Sequence, residues 1–79
     1  MRCVKILSYT IPMYGNKHAI PYGKMLVEHE GKEKTVPFGG FDMGAGLQFI
    51  TFERKRFFFR NVGGLYSPRF VFDGEETAQ

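Results

Sequence analysis

Three adjacent cations form the part of this chain best suited to binding chemistry: Arg54, Lys55 and Arg56. A run of phenylalanines at residues 57–59 follows them directly. Cations beside aromatic rings can hold phosphates while a ring stacks on a base, and the same combination is enriched at protein-binding surfaces. We therefore predict a macromolecular contact surface here, with protein binding favoured over nucleic-acid binding. The rings themselves are predicted to lie mainly in the core, which leaves the three cations at the hairpin tip for binding. The alternative is that these charges only keep a turn in solvent.

Four more residues extend the predicted contact surface. Arg60 and Arg69 supply flanking positive charge. Phe41 and Met43 lie in a glycine-rich connection at residues 39–46, either as part of the core or as apolar anchors for a partner. The connection lacks the Lys-Ser/Thr pair and the following helix that a phosphate-binding loop needs. We therefore predict no cofactor.

Side chains that catalyse reactions or bind metals are isolated in this sequence. Acid–base catalysis normally needs a second positioned group. His18 lies in a turn-rich stretch, and His29 lies between two glutamates that a strand would turn to its opposite face. Asp42 is a lone carboxylate in a predicted loop, and Cys3 is the single cysteine. We predict no enzyme activity, no metal site and no intramolecular disulfide, and we expect a reducing, cytoplasmic location.

The charge is small in total and uneven along the chain. The formal net charge is +3, and residues 53–69 hold five cations against one acid. Asp73, Glu75 and Glu76 make the C-terminal residues acidic. Such a two-sided distribution can steer an acidic partner, whether nucleic acid or protein. No stretch is apolar for long enough to span a bilayer, so we expect no membrane contact.

The spacing of apolar residues is typical of strands. Ten glycines and four prolines separate short runs rich in β-branched and aromatic residues, and no apolar series has helical spacing. The predicted strands are residues 2–11, 24–30, 34–38, 47–52, 56–62 and 65–73. We predict one all-β domain over residues 1–79: a small partly open β-barrel or curled antiparallel sheet of about five to six short strands, SH3-like or OB-like in size, with little or no helix. Residues 75–79 are expected to fray as an acidic tail.

Some local features follow from single residues. Gly31 is expected to supply the positive φ of a tight hairpin turn. Pro37 predicts an edge position or a bulge, and Pro68 predicts an edge position or a bend. In the hairpin of residues 47–62, large apolar groups on both faces predict that both faces are covered. Strict alternation divides the first strand into two faces: Val4, Ile6, Ser8 and Thr10 on one, and Cys3, Lys5, Leu7, Tyr9 and Ile11 on the other.

The leading functional prediction is a small non-enzymatic binding module that acts by occupying a surface of a larger macromolecular partner. Its size and composition are typical of the small inhibitors that phages and mobile elements direct against host machinery. The first alternative is binding of single-stranded nucleic acid or RNA through the basic aromatic hairpin. The second is self-assembly, in which edge strands of two copies pair to form a homodimer.

Overall fold

The structure is a computed structural model that describes residues 1–12, 20–64 and 66–77. These residues form seven strands and no helix. The strands are β1 (Arg2–Thr10), β2 (Tyr22–His29), β3 (Lys32–Phe38), β4 (Gly40–Asp42), β5 (Leu47–Phe52), β6 (Lys55–Asn61) and β7 (Phe70–Thr77). The predicted all-β class is confirmed. His18 and the predicted turn at residues 14–17 lie outside the described residues.

The strands build two antiparallel sheets in simple chain order, β1-β2-β3 and β4-β5-β6-β7. Gly39 alone separates β3 from β4, so the chain passes directly from the first sheet to the second. The sheets also meet where β3 contacts β5 and where β1 contacts β7. No ladder joins β1 to β7 in the described chain, and neither sheet closes into a barrel, so the predicted partly open barrel is not confirmed.

Both long hairpins turn through two residues with positive φ. Gly31 has a φ of 76° beside Glu30 at 53°, which confirms the predicted role of the glycine. In the β5–β6 hairpin, Glu53 and Arg54 have φ values of 51° and 64°. Type I′ turns require positive φ at both central positions, because their twist matches that of the flanking strands. The second turn uses this geometry without a glycine.

Two bulges in β1 overturn the predicted alternation of that strand. The register with β2 steps from Cys3 to Lys5 and from Ile6 to Ser8, so that Val4 and Leu7 are extra residues without a direct partner. An extra residue shifts the phase of alternation by one position. As a result Cys3, Ile6 and Tyr9 pack against the core, three residues apart, while Val4 and Leu7 are exposed.

The core lies between the two sheets and is built mainly from phenylalanine and aliphatic side chains. Phe57 and Phe59 are almost completely buried, as the core interpretation of the phenylalanine run predicted. Phe38 of the first sheet meets Phe70 of the second edge to face, with 5.4 Å between ring centroids. The central cluster is Met25, Val27, Val36, Phe38, Ile50, Phe57, Phe59 and Phe70.

Two other segments of the chain differ from prediction. The predicted connection contains a short strand, β4, whose Asp42 carbonyl accepts a hydrogen bond from the Gly46 amide at 2.7 Å. The last strand begins at Phe70 and continues to Thr77, four residues beyond its predicted end. The expected fraying is therefore wrong for residues 75–77, which pair with β6. Pro37 lies in β3, an outer strand of its sheet, as predicted.

Candidate binding surfaces

The predicted basic tip is smaller than its sequence suggested. Lys55 and Arg56 belong to β6, and Arg54 is the one cation in the turn itself. Successive residues of a strand face opposite sides, so Lys55 and Arg56 diverge. Arg69 lies beside Asn61, whose side-chain oxygen accepts a hydrogen bond from the Arg69 amide at 3.0 Å. That position is at the far end of β6, about 20 Å of strand from Arg54. The five predicted cations do not share one face.

Arg56 is held in place at the protein surface by ion pairs and ring contacts within the chain. Its guanidinium lies 3.5 Å from the Asp42 carboxylate and also bonds the Glu76 carboxylate. The same group lies over two rings, 5.2 Å from the centroid of Phe49 and 5.6 Å from that of Phe58. Cation–ring contacts of this kind contribute about 0.5–1 kcal/mol each at exposed sites. Arg56 therefore acts first as a structural residue of the second sheet.

Acidic residues of β7 neutralise two more of the predicted cations. Lys55 lies 3.5 Å from Glu75, and Arg60 bonds Asp73 at 2.8 Å. Exposed pairs of this kind contribute only about 0–1 kcal/mol to stability. Their larger effect is on the electrostatic field, since the acids expected in a frayed tail lie beside the cations. The expected separation into a basic and an acidic side is therefore reduced.

A second, smaller apolar cluster covers the outer face of the second sheet. Phe58 is only 7% exposed although it points away from the central core. The ring of Phe49 packs on it edge to face at 5.9 Å, and Arg56 closes the cluster above them. Gly40 makes room for this arrangement, because a Cβ there would lie 2.6 Å from the Phe49 ring. The hairpin of residues 47–62 was predicted to be covered on both faces, and on its outer face side chains of the same sheet provide this cover.

The two apolar side chains of the glycine-rich connection are exposed. Met43 is 87% exposed and lies in the β4–β5 turn, where Asp42 accepts a hydrogen bond from the Ala45 amide at 2.9 Å. Phe41 is 40% exposed and pairs across the sheet with Gln48. Neither belongs to the core cluster. Both are accessible to a partner, and their predicted role in binding stays a prediction.

The groove between β1 and β7 was not predicted from the sequence. It has a volume of about 650 Å³ and is open to solvent along one side. One wall is β1 and the residue before it, and the other is the start of β7 and the two residues that precede it. Three lining residues are cations and none is an acid: Arg2, Lys5 and Arg69. We call this feature the β1–β7 groove.

Both strands that flank the groove have irregular backbone. The bulges at Val4 and Leu7 interrupt β1, and a third bulge places Asp73 as an extra residue of β7. Pro68, just before β7, has no backbone N–H to donate. A regular ladder needs an unbroken series of donors and acceptors on both edges. The sequence did not predict the groove, because bulges shift the register of strands without leaving a pattern in the sequence.

Cys3 and His29, which the sequence analysis considered for catalysis or metal binding, both pack against other side chains of the protein. Cys3 is half-buried in the groove wall, and burial raises the pKa of its thiol above the ordinary range. His29 packs edge to face on Phe57 at 5.3 Å. Within residues 1–12, 20–64 and 66–77, no three His, Cys, Asp or Glu side chains are grouped to hold a metal ion. The same residues contain no helix long and apolar enough to cross a membrane.

The fold and the groove together define a class of structure: a small all-β protein of two packed antiparallel sheets, with an open groove between the edge strands β1 and β7. Comparison of the chain with protein-family models, curated proteins and solved structures gives no match. Functional inference therefore depends on the surfaces described above.

Proposed function

We propose that this protein is a non-enzymatic binding module that acts by occupying a surface of a protein partner, with the β1–β7 groove as its main contact. The observation that carries the proposal is the pair of unpaired strand edges that flank an open groove of about 650 Å³. Exposed strand edges are common docking sites for extended peptide segments, because their free N–H and C=O groups accept a further strand.

The side chains of the groove can add apolar contacts to the backbone hydrogen bonds that hold a bound segment. Val4 and Val71 are 37% and 46% exposed, one on each wall. Burying both against a partner removes apolar surface from water at about 25 cal/mol per Å². The bulges limit any added ladder to a few residues, so side-chain contacts must supply much of the specificity.

The hairpin surface is the weaker candidate for this contact. Lys55, Arg56 and Arg60 already have acidic partners from within the chain. Arg54 keeps an exposed charge, and Met43 and Phe41 are accessible. Binding through these three residues stays a separate prediction and is not part of the contact proposed here. The interpretation as an inhibitor of phage type rests on size and composition alone and stays a prediction.

Nucleic-acid binding is the second candidate, and the ion pairs count against it. A protein that holds phosphates needs several cations free to replace counterions, and bases stack on exposed rings. One observation favours this candidate: Tyr66, in the loop before β7, is 81% exposed and is the most exposed ring of the described chain. Oligonucleotide affinity that falls steeply with salt, and that Arg54→Glu abolishes, would support this candidate over protein binding.

Self-assembly is the third candidate, and it uses the same edges in a different way. Pairing of a free edge with that of a second copy would produce a homodimer whose mass is twice 9.1 kDa. Light scattering at high protein concentration distinguishes this outcome from a monomer.

An affinity capture with matched variants tests the proposal. The bait proteins are the wild type, the groove variant Val4→Glu/Val71→Glu, and the turn variant Arg54→Glu/Lys32→Glu, which changes one residue in the β5–β6 turn and the residue that follows the β2–β3 turn. Each variant changes only exposed side chains, so the free energy of unfolding should change by about 0.5 kcal/mol or less per site. Nuclease-treated lysate from the source organism separates protein partners from nucleic-acid bridging.

We expect a nuclease-resistant protein that binds the wild type and the turn variant and is lost from the groove variant. Amide hydrogen exchange of the purified complex should then show protection in β1 and β7. Retention of the partner by the groove variant, or protection at the hairpin turns alone, would contradict the proposal.

A further inference from the structure

We infer that the β1–β7 groove binds an extended acidic segment of a protein, in which carboxylate side chains lie among apolar ones. This inference rests on the proposed function and specifies the chemistry of the partner. It starts from the lining of the groove, which combines three cations with apolar side chains and contains no acidic residue.

Two of the three cations have no acidic partner among the residues that the structure describes. Arg2 bonds the Glu28 carboxylate at 3.0 Å. In contrast, Lys5 and Arg69 make no ion pair with any residue in the described parts of the chain. They come from opposite walls, Lys5 from β1 and Arg69 from the segment before β7. A segment lying in the groove passes between two free positive charges, which favours carboxylates on it.

The apolar lining determines what separates the carboxylates. Val4 and Val71 present exposed aliphatic surface beside these cations, and Ile6 is half-buried beneath them. Side chains of an extended segment alternate between its two faces, so apolar residues can contact the lining while carboxylates reach the cations at the walls. A uniformly acidic segment would leave this apolar surface uncovered.

The same lining argues against two other occupants. Nucleic acid is disfavoured because the lining offers no well-exposed ring for stacking: Phe70 is buried and Phe72 is half-buried. A second copy that enters with its own β1 brings Arg2 and Lys5 against the same cations. Its acidic strand, β7, already uses its carboxylates in ion pairs with β6.

A peptide-display selection tests the inference on the full chain. The probe is a library of random ten-residue peptides, selected separately against the wild type, Lys5→Glu/Arg69→Glu, and the turn variant Arg54→Glu/Lys32→Glu. The two variants change the net charge equally, but only the first changes residues that line the groove. The position of bound peptide is read from protection of a single thiol, Val4→Cys in a Cys3→Ser background, against alkylation.

We expect the wild type and the turn variant to select peptides with acidic and apolar residues that protect the thiol at position 4. The groove variant should bind those peptides at least about tenfold more weakly and should select basic peptides instead, because the sign of the lining has been reversed.

The outcomes separate the two claims. Peptides that protect the thiol but are not enriched in acidic residues would overturn the inference and leave the proposed function standing. Selection of no peptide, or of peptides that leave the thiol at position 4 reactive, would overturn both. Displacement of bound peptide by a mixed-sequence oligonucleotide at equal affinity would assign the groove to nucleic acid instead.

Discussion

Arg56 shows that the surroundings of a charged residue decide whether it is available for binding or stabilises the fold. In the sequence it is one of three cations in a row, but in the structure it joins three strands. It pairs with Asp42 of β4 and Glu76 of β7, and it covers Phe49 and Phe58. Arg54, two positions earlier, lies exposed in a turn with no ion pair among the described residues. The two arginines therefore form a matched pair for experiment.

Replacing Arg56 by glutamine should destabilise the protein, because the variant loses both ion pairs and the charge above the two rings. We expect the free energy of unfolding to fall by about 1–2 kcal/mol, and Arg54→Gln to change it by about 0.5 kcal/mol or less. Chemical denaturation of the two variants measures the difference. Equal effects would show that the Arg56 contacts contribute nothing particular to stability.

Two half-buried weak acids, Cys3 and Tyr9, should make the free energy of unfolding depend on pH in the alkaline range. Burial raises the pKa of the Cys3 thiol above its ordinary value of 9.0, and burial raises the pKa of the Tyr9 hydroxyl above 10.0. Both groups therefore ionise more readily in the unfolded chain. Their contribution is fully present below the unfolded-state pKa and is lost as pH rises through the folded-state pKa.

We expect the free energy of unfolding to decline as pH rises above about 9. Urea denaturation at a series of pH values measures the slope. Cys3→Ala should flatten the first part of the decline and Tyr9→Phe the later part, even where the variants differ in stability at neutral pH. A slope that neither substitution changes would assign the effect to other groups.

At the scale of elements, the bulges of β1 bring two backbones unusually close. The Ser8 hydroxyl accepts a hydrogen bond from the Lys24 amide at 2.9 Å, next to Gly23 on β2. A Cβ on Gly23 would lie 2.1 Å from the Ser8 carbonyl oxygen. Since that atom belongs to the backbone, the strand itself would have to move.

Gly23→Ala should therefore destabilise the protein by about 3 kcal/mol or more, which belongs to the strongest effects of a single substitution. Gly64→Ala is the control, because a Cβ there meets no atom within 4 Å. Thermal denaturation compares the two. A Gly23→Ala variant as stable as the control would mean that β1 and β2 do not approach in this way.

The elements also show which features the sequence could predict. Gly31 made the tight β2–β3 turn predictable. The β5–β6 hairpin was predicted as well, but the positive φ of Glu53 and Arg54 was not, because no glycine marks that turn. Burial of the phenylalanine run was foreseeable from its hydrophobicity. The faces of β1 were not, because alternation holds only while no bulge intervenes. The pairing of Glu75 and Glu76 with β6 was not predictable either, because their negative charge suggested a frayed tail and not the end of a strand.

At the scale of the whole molecule, the groove between two edge strands is the main feature for binding. The two sheets contact along both sides without a ladder between them in the described residues, and both β1 and β7 contain bulges. The candidate surface consequently differs from the one that the sequence suggested. Arg69 is the one predicted cation that lines the groove, and its companions there, Arg2 and Lys5, come from the other end of the chain.

The central claim is that a protein partner binds in the β1–β7 groove, and thiol footprinting of the complex tests it most directly. Two proteins in a Cys3→Ser background each carry one thiol, either Val4→Cys in the groove or Arg54→Cys at the hairpin turn. Alkylation rates are measured with and without saturating partner. We predict that the partner slows alkylation at position 4 by at least about tenfold and leaves position 54 unchanged. Protection at position 54 with an unchanged rate at position 4 would contradict the account.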